Sequence, residues 1–140
     1  MASESTLGQA SAPRQSKLRE RTLWTVQIVT ALFFAAAAVS KLAGAEYNVI
    51  VFEKVGYGQW FRYVTGFIEL SGAILVVVPR LAALGGAILA AVMAGAFFAD
   101  LHYLDGNGVP ALICFAVTAS IAWLRRSSLP PGLRWPLGGK

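Results

Sequence analysis

Charge is what this chain of 140 residues has least of: Asp, Glu, Lys and Arg together make up 14%, against 56% hydrophobic residues. A soluble domain of this size needs more charge to cover its surface, so the scarcity points to lipid as the solvent. Cysteine occurs once, as Cys114 inside an apolar run, which excludes an intramolecular disulfide and a dithiol redox pair. Histidine also occurs once, as His102, so one copy of the chain cannot build bis-histidine haem ligation or a metal site of several His or Cys ligands. Acidic residues are outnumbered seven to twelve, giving a net charge of +5. That excess does not suit a nucleic acid, because the basic residues flank apolar segments instead of forming one patch.

What the chain does have is apolar runs. Residues 1–21 are small and polar, end in the basic cluster Arg14, Lys17, Arg19 and Arg21, and hold too little apolar surface to fold. They read as a disordered cytoplasmic tail. The first run, Leu23 to Ser40, is long enough to cross about 30 Å of hydrocarbon with Lys41 snorkelling at its far end. Ala43-Gly44-Ala45 resembles a signal-peptide cleavage box, but the long leader and the intervening Lys41 favour a retained span. A second run, Phe61 to Val78, stops at Pro79-Arg80; a third, Leu81 to Ala99, precedes the polar stretch Asp100 to Gly108. The fourth, Val109 to Leu124, is short and ends at Arg125-Arg126. Residues 22–126 thus read as one four-helix membrane domain, and 127–140 as a cytoplasmic C-terminal tail.

Charge asymmetry sets the expected orientation. With the N-terminus inside, Arg14, Lys17, Arg19, Arg21, Arg80, Arg125, Arg126, Arg134 and Lys140 are cytoplasmic, and only Lys41, Lys54 and Arg62 lie toward the outside. Trp24 and Trp123 mark the inner interface; Tyr57, Trp60, Tyr63, Phe98 and Tyr103 mark the outer one. In the outer loop, Tyr47, Ile50, Val51 and Val55 recur at helical spacing, with Asn48 and Glu53 elsewhere on the wheel. The expected fold is an all-α membrane protein: an antiparallel four-transmembrane-helix bundle with a short interfacial helix between helices 1 and 2.

Helices in lipid associate through close packing and polar contacts. Ala83, Ala87, Ala91, Gly95 and Ala99 form a small-residue ladder on the third run, and Gly66 and Gly72 flank Glu69 on the second. Gly66, Gly72, Ala87, Ala91 and Gly95 are therefore the expected packing positions, with homo-oligomerisation through the same stripe left open.

The residues expected to carry function are Lys41, Glu69, Asp100 and His102. Glu69 lies eight positions beyond Phe61, roughly 12 Å below the outer interface. A charge there costs roughly 2.5–3.5 kcal/mol on insertion scales, so it is either protonated or paired, and Lys41 is the nearest cation in prospect. A structural lock between two helices and a proton or ligand site are both open for that pair. Asp100 and His102, on the same side, would complete a polar funnel opening outward; His102 taken alone is an interfacial histidine without a ligand. Arg62 and Arg80 are expected to snorkel, Cys114 to pack, and Asp105-Gly106-Asn107-Gly108 to turn the chain.

Ser40-Lys41-Leu42, Phe52, Gly56-Tyr57-Gly58, Gly66-Phe67-Ile68-Glu69-Leu70, Pro79-Arg80, Met93-Ala94-Gly95-Ala96 and His102, in that order across residues 22–124, resemble the DoxX family of small bacterial membrane proteins. The resemblance implies a four-helix bundle in the cytoplasmic membrane, and, from some relatives, association with membrane redox complexes such as a thiosulfate–quinone oxidoreductase. The chain itself carries no evident cofactor-ligand set, so autonomous electron transfer is not expected. The expected role is a non-catalytic or quinone-linked subunit, or scaffold, among membrane oxidoreductase subunits. The alternative is a small proton-coupled transporter using Glu69; four-helix multidrug exporters carry their membrane carboxylate in the first helix, where this chain has none.

Overall fold

The first four helices stop where the sequence removes a donor or offers a residue that turns left-handed. The computed structural model describes residues 2–133, with side chains from residue 14 onward. Within them lie α1 (Ala2–Leu42), α2 (Glu46–Val55), α3 (Gln59–Val77), α4 (Ala82–Tyr103) and α5 (Val109–Leu124), then two short 3-10 turns at Arg126–Ser128 and Pro131–Leu133; no strand occurs among the described residues. Arg134 and Lys140, with the rest of the C-terminal tail, lie outside the described residues. α1 ends at the triplet that resembles a cleavage box. Gly44 takes φ +75°, its N–H donates to the Lys41 carbonyl at 3.2 Å, and the Ala45 N–H donates to that of Ser40 at 3.1 Å. These are the two bonds of a Schellman cap. α3 stops two residues before Pro79, and α5 starts behind Gly108, with the Asn107 Oδ1 accepting the Val109 N–H at 3.1 Å and Pro110 in the first turn.

Two boundaries differ from the sequence reading. The segment 2–21, expected to be disordered, continues α1 without a break. Extending an existing helix adds one hydrogen bond per residue fixed, Leu18, Arg19, Glu20 and Arg21 are good helix formers, and Glu20 is paired with Arg125 at 2.8 Å. α4 runs a turn further than Ala99, with Asp100 and His102 on its last turn, the helix on which they are expected.

Three helical stretches are long and apolar enough to cross a membrane: Arg14–Leu42, Gln59–Val77 and Ala82–Tyr103; α5 is apolar but has 16 residues. α3 lies between α1 and α4, and α5 packs on the other side of α4; α1 and α5, at the two ends of this row, meet only slightly. Close approaches at Gly66 to Leu42, Gly85 to Val76 and Gly86 to Ala122 pair late positions on one helix with early ones on the next, so neighbours run antiparallel. Phe34, Ala73, Val76, Leu89, Met93 and Ile121 form the core. Large apolar side chains such as Ile28, Leu32, Phe33, Phe67, Ile74 and Ile113 point outward and exposed. A water-soluble fold would bury such a surface; here it faces hydrocarbon.

The closest packing is at Gly85 and Gly86. A Cβ on Gly85 would stand 2.6 Å from the Val76 backbone nitrogen and 2.8 Å from the Gly72 carbonyl; one on Gly86 would stand 2.8 Å from Ala122 N and Thr118 O. Successive residues project about 100° apart, so one glycine admits α3 and the next admits α5. Ala91 and Gly95, expected in this role, are exposed, and a Cβ on Gly95 meets nothing within 4 Å. The reason is periodicity: a four-residue repeat advances about 40° per step on a helix of 3.6 residues per turn. The ladder that is buried at Ala83 is half-buried at Ala87 and has rotated outward by Ala91.

Candidate functional site

Gly66 lets α1 approach α3, with the Leu42 side chain 3.1 Å from where its Cβ would be and the Ala38 carbonyl 3.5 Å away. One turn further along α3 stands Glu69, 1% exposed. Its Oε2 accepts from the Lys41 Nζ at 2.9 Å. Gly66, Glu69 and Gly72 are all buried, but they do not share one neighbour: Gly66 meets α1, and Gly72 meets Leu89 and Gly85 of α4. The ion pair is thus a charge-assisted hydrogen bond set into the α1–α3 seam, where little water competes with it.

Arg62 does not snorkel. It is 4% exposed; its Nη1 donates to the Lys41 carbonyl, and its Nε donates to the Gln59 Oε1 at 2.8 Å. The guanidinium covers Gly44 and stacks over Tyr63, 4.4 Å from the ring centroid. Its fork therefore satisfies a carbonyl at the C-terminus of α1, where the helix dipole favours a cation. Gln59 donates to the Val49 carbonyl at 3.1 Å, and the Asn48 Nδ2 donates to the Ser40 hydroxyl at 2.8 Å. These bonds set the inward face of the expected short helix: Asn48 and Phe52 are buried, Val51 and Val55 are half-buried, and Tyr47 and Ile50 are exposed. The Ser40 partner and the edge contact between Phe52 and Phe61, 5.9 Å between centroids, decide which face turns inward.

Asp100 and His102 do not join Lys41 and Glu69, so the expected polar funnel is not formed. His102 is exposed, stacks on Phe98 with ring centroids 4.0 Å apart, and places its Nδ1 2.9 Å from the Phe98 carbonyl. Asp100 packs beside Gly106 and lines a cleft against α2. Cys114 is half-buried beside the core, and Arg80 is exposed.

Sequence reasoning missed a second polar cluster at the opposite end of the helices. Gln27, fully buried on α1, donates its Nε2 to the Val76 carbonyl at 2.6 Å and accepts from the Arg125 Nε at 2.7 Å. Arg125 in turn pairs with Glu20 at 2.8 Å. The Val76 carbonyl is in the last turn of α3, where the helix itself supplies no donor. One signal was available: Gln27 is the single amide side chain in the first apolar run. Arg125 drew notice only as a topology marker.

The model of the DoxX-like family matches residues 25–129. The uncharacterized protein YdgD of Bacillus subtilis (strain 168) is 29% identical over 103 residues, which are 69% of this chain and 90% of that protein. No solved structure shows a significant match. The matched segment takes in α2, α3, α4, α5 and the part of α1 that carries Gln27 and Lys41, and with it the polar contacts described above except the pair of Arg125 with Glu20. This membrane protein belongs to the DoxX-like family.

Proposed function

We propose that the chain crosses the bacterial cytoplasmic membrane four times, with both ends in the cytoplasm, and serves as a non-catalytic or quinone-linked subunit or scaffold of a membrane redox assembly. The fourth crossing is supported by the Arg125–Gln27–Val76 linkage. α5 has 16 residues, about 24 Å of helix, yet its end reaches the level at which α3 finishes, so it returns across the thickness that α3 and α4 traverse. The expected positive-inside asymmetry places that level in the cytoplasm.

The scaffold reading rests on one observation: the Glu69 carboxylate, the natural carrier group, is held by Lys41 at 2.9 Å in a helix seam. Two clefts lie elsewhere, one beside Asp100 and one beside Lys17 and Trp24. A buried pair consumed in joining helices suits a part that holds position within an assembly. The redox partner and the quinone come from the family resemblance. Purification in a gentle detergent tests this reading. An oxidoreductase subunit retained in fixed stoichiometry, with its abundance falling when the chain is deleted, is the expected result. A chain recovered alone, with oxidoreductase levels unchanged on deletion, overturns it.

A further inference from the structure

We infer that the cleft between α2 and the α4–α5 connection binds the phosphoethanolamine headgroup of a membrane lipid. The cleft encloses about 300 Å³; Ile50, Val51 and Lys54 of α2 form one wall, and Asp100, Leu104 and Asn107 belong to the other. Lys54 and Asp100 share this space without forming an ion pair, and among the described residues neither has a salt-bridge partner. Asp100 is half-buried, with its side chain against Gly106. A partly buried carboxylate and an exposed, unpaired lysine that line one cleft are completed by a molecule that carries both charges.

Phosphoethanolamine is such a molecule. Its phosphate oxygens accept from Lys54, and its primary ammonium donates to Asp100. The Asn107 Oδ1 is already used by the Val109 N–H, so what this amide offers a ligand is N–H donors, which also suit phosphate. Ile50, Val51 and Leu104 provide apolar contact for the glycerol end. The volume is at the small end of ligand sites: sufficient for a headgroup, with the acyl chains left in the bilayer. The position fits as well, since the exposed Tyr57, Trp60, Tyr63 and Tyr103 place this end of the helices at headgroup level. A choline headgroup has no N–H to give Asp100. A glycerol headgroup brings no cation and leaves Asp100 facing a like charge.

The chain in detergent is titrated with short-chain phosphatidylethanolamine, phosphatidylcholine and phosphatidylglycerol, and with water-soluble phosphoethanolamine. Native mass spectrometry counts the bound molecules. One phosphatidylethanolamine per chain, held about tenfold more tightly than phosphatidylcholine, is expected from one charge-assisted hydrogen bond. Asp100→Asn removes that preference, and Lys54→Gln weakens both lipids. Each variant melts like wild type without lipid, which separates a lost site from a damaged fold. Equal retention of the three lipids by wild type, or a preference that survives Asp100→Asn, overturns the proposal. Tighter binding of soluble phosphoethanolamine than of the lipid overturns the assignment to a membrane lipid.

Discussion

The ammonium of Lys41 and the carboxylate of Glu69 meet at 2.9 Å across the α1–α3 seam, with 17% and 2% of their side chains exposed. Removing one partner leaves the other charge desolvated and unpaired, the costly case for a buried ion pair. Glu69→Gln is expected to destabilise the chain by about 3 kcal/mol, and adding Lys41→Met in the same chain to recover most of that loss. Thermal melting in detergent of both single variants and the double variant measures the coupling. A Glu69→Gln chain as stable as wild type, with only a pH-dependent transport activity lost, would instead make Glu69 a carrier.

Gly85 and Gly95 give opposite outcomes on the same helix. Gly85→Ala puts a Cβ against the Val76 and Gly72 backbones, neither of which can rotate away, so a loss of about 1–3 kcal/mol is expected from overpacking. Gly95→Ala enters open space and leaves the melting temperature unchanged or raised. Equal melting of the two variants would mean that α4 is not held against α3 at Gly85.

Gln27 joins the ends of α3 and α5 to α1 through a single amide. Gln27→Leu strands the Val76 carbonyl and the Nε–H of Arg125, which keeps its ion pair with Glu20, and each orphaned group costs about 1–3 kcal/mol. Gln27→Glu keeps the acceptor for Arg125 but loses the donor to Val76; it should fall between wild type and Leu in chemical denaturation. A Leu variant as stable as wild type would mean that this contact contributes nothing.

Arg62→Lys tests the cap on α1. An ammonium cannot reproduce the planar fork that bonds the Lys41 carbonyl and Gln59 at once. Faster amide hydrogen exchange at Gly44 and Ala45, with little change in the Gln27 region, is the expected pattern. Uniform exchange across both regions would remove Arg62 from the capping role.

Topology is tested with single cysteines in a Cys114→Ala background. Asn107→Cys should be labelled by an impermeant reagent from outside only, and Ser128→Cys from the cytoplasm only. Labelling of the Ser128 position from outside would mean that α5 does not cross.

The sequence by itself determined the solvent, the apolar helices and most of the places where they stop. Scarce charge, apolar runs of spanning length, Pro79 and the glycines at 44, 56 and 108 act locally, through hydration and backbone conformation, so no tertiary contact is needed to read them. It also made Glu69 conspicuous, because a carboxylate within an apolar run needs a partner whatever the fold. Which face of a helix meets which neighbour was decided only in three dimensions. The four-residue ladder of α4 looked continuous on paper, but it drifts around the helix and leaves Gly95 exposed while Gly85 and Gly86 carry the contact. Arg62 and Asn48 point inward because a carbonyl at the end of α1 and the Ser40 hydroxyl wait there, partners that the folded chain brings from 21 and 8 residues away. The same holds for Arg125, whose charge announced only a side of the membrane until α5 folded back and set it against Gln27, 98 residues earlier.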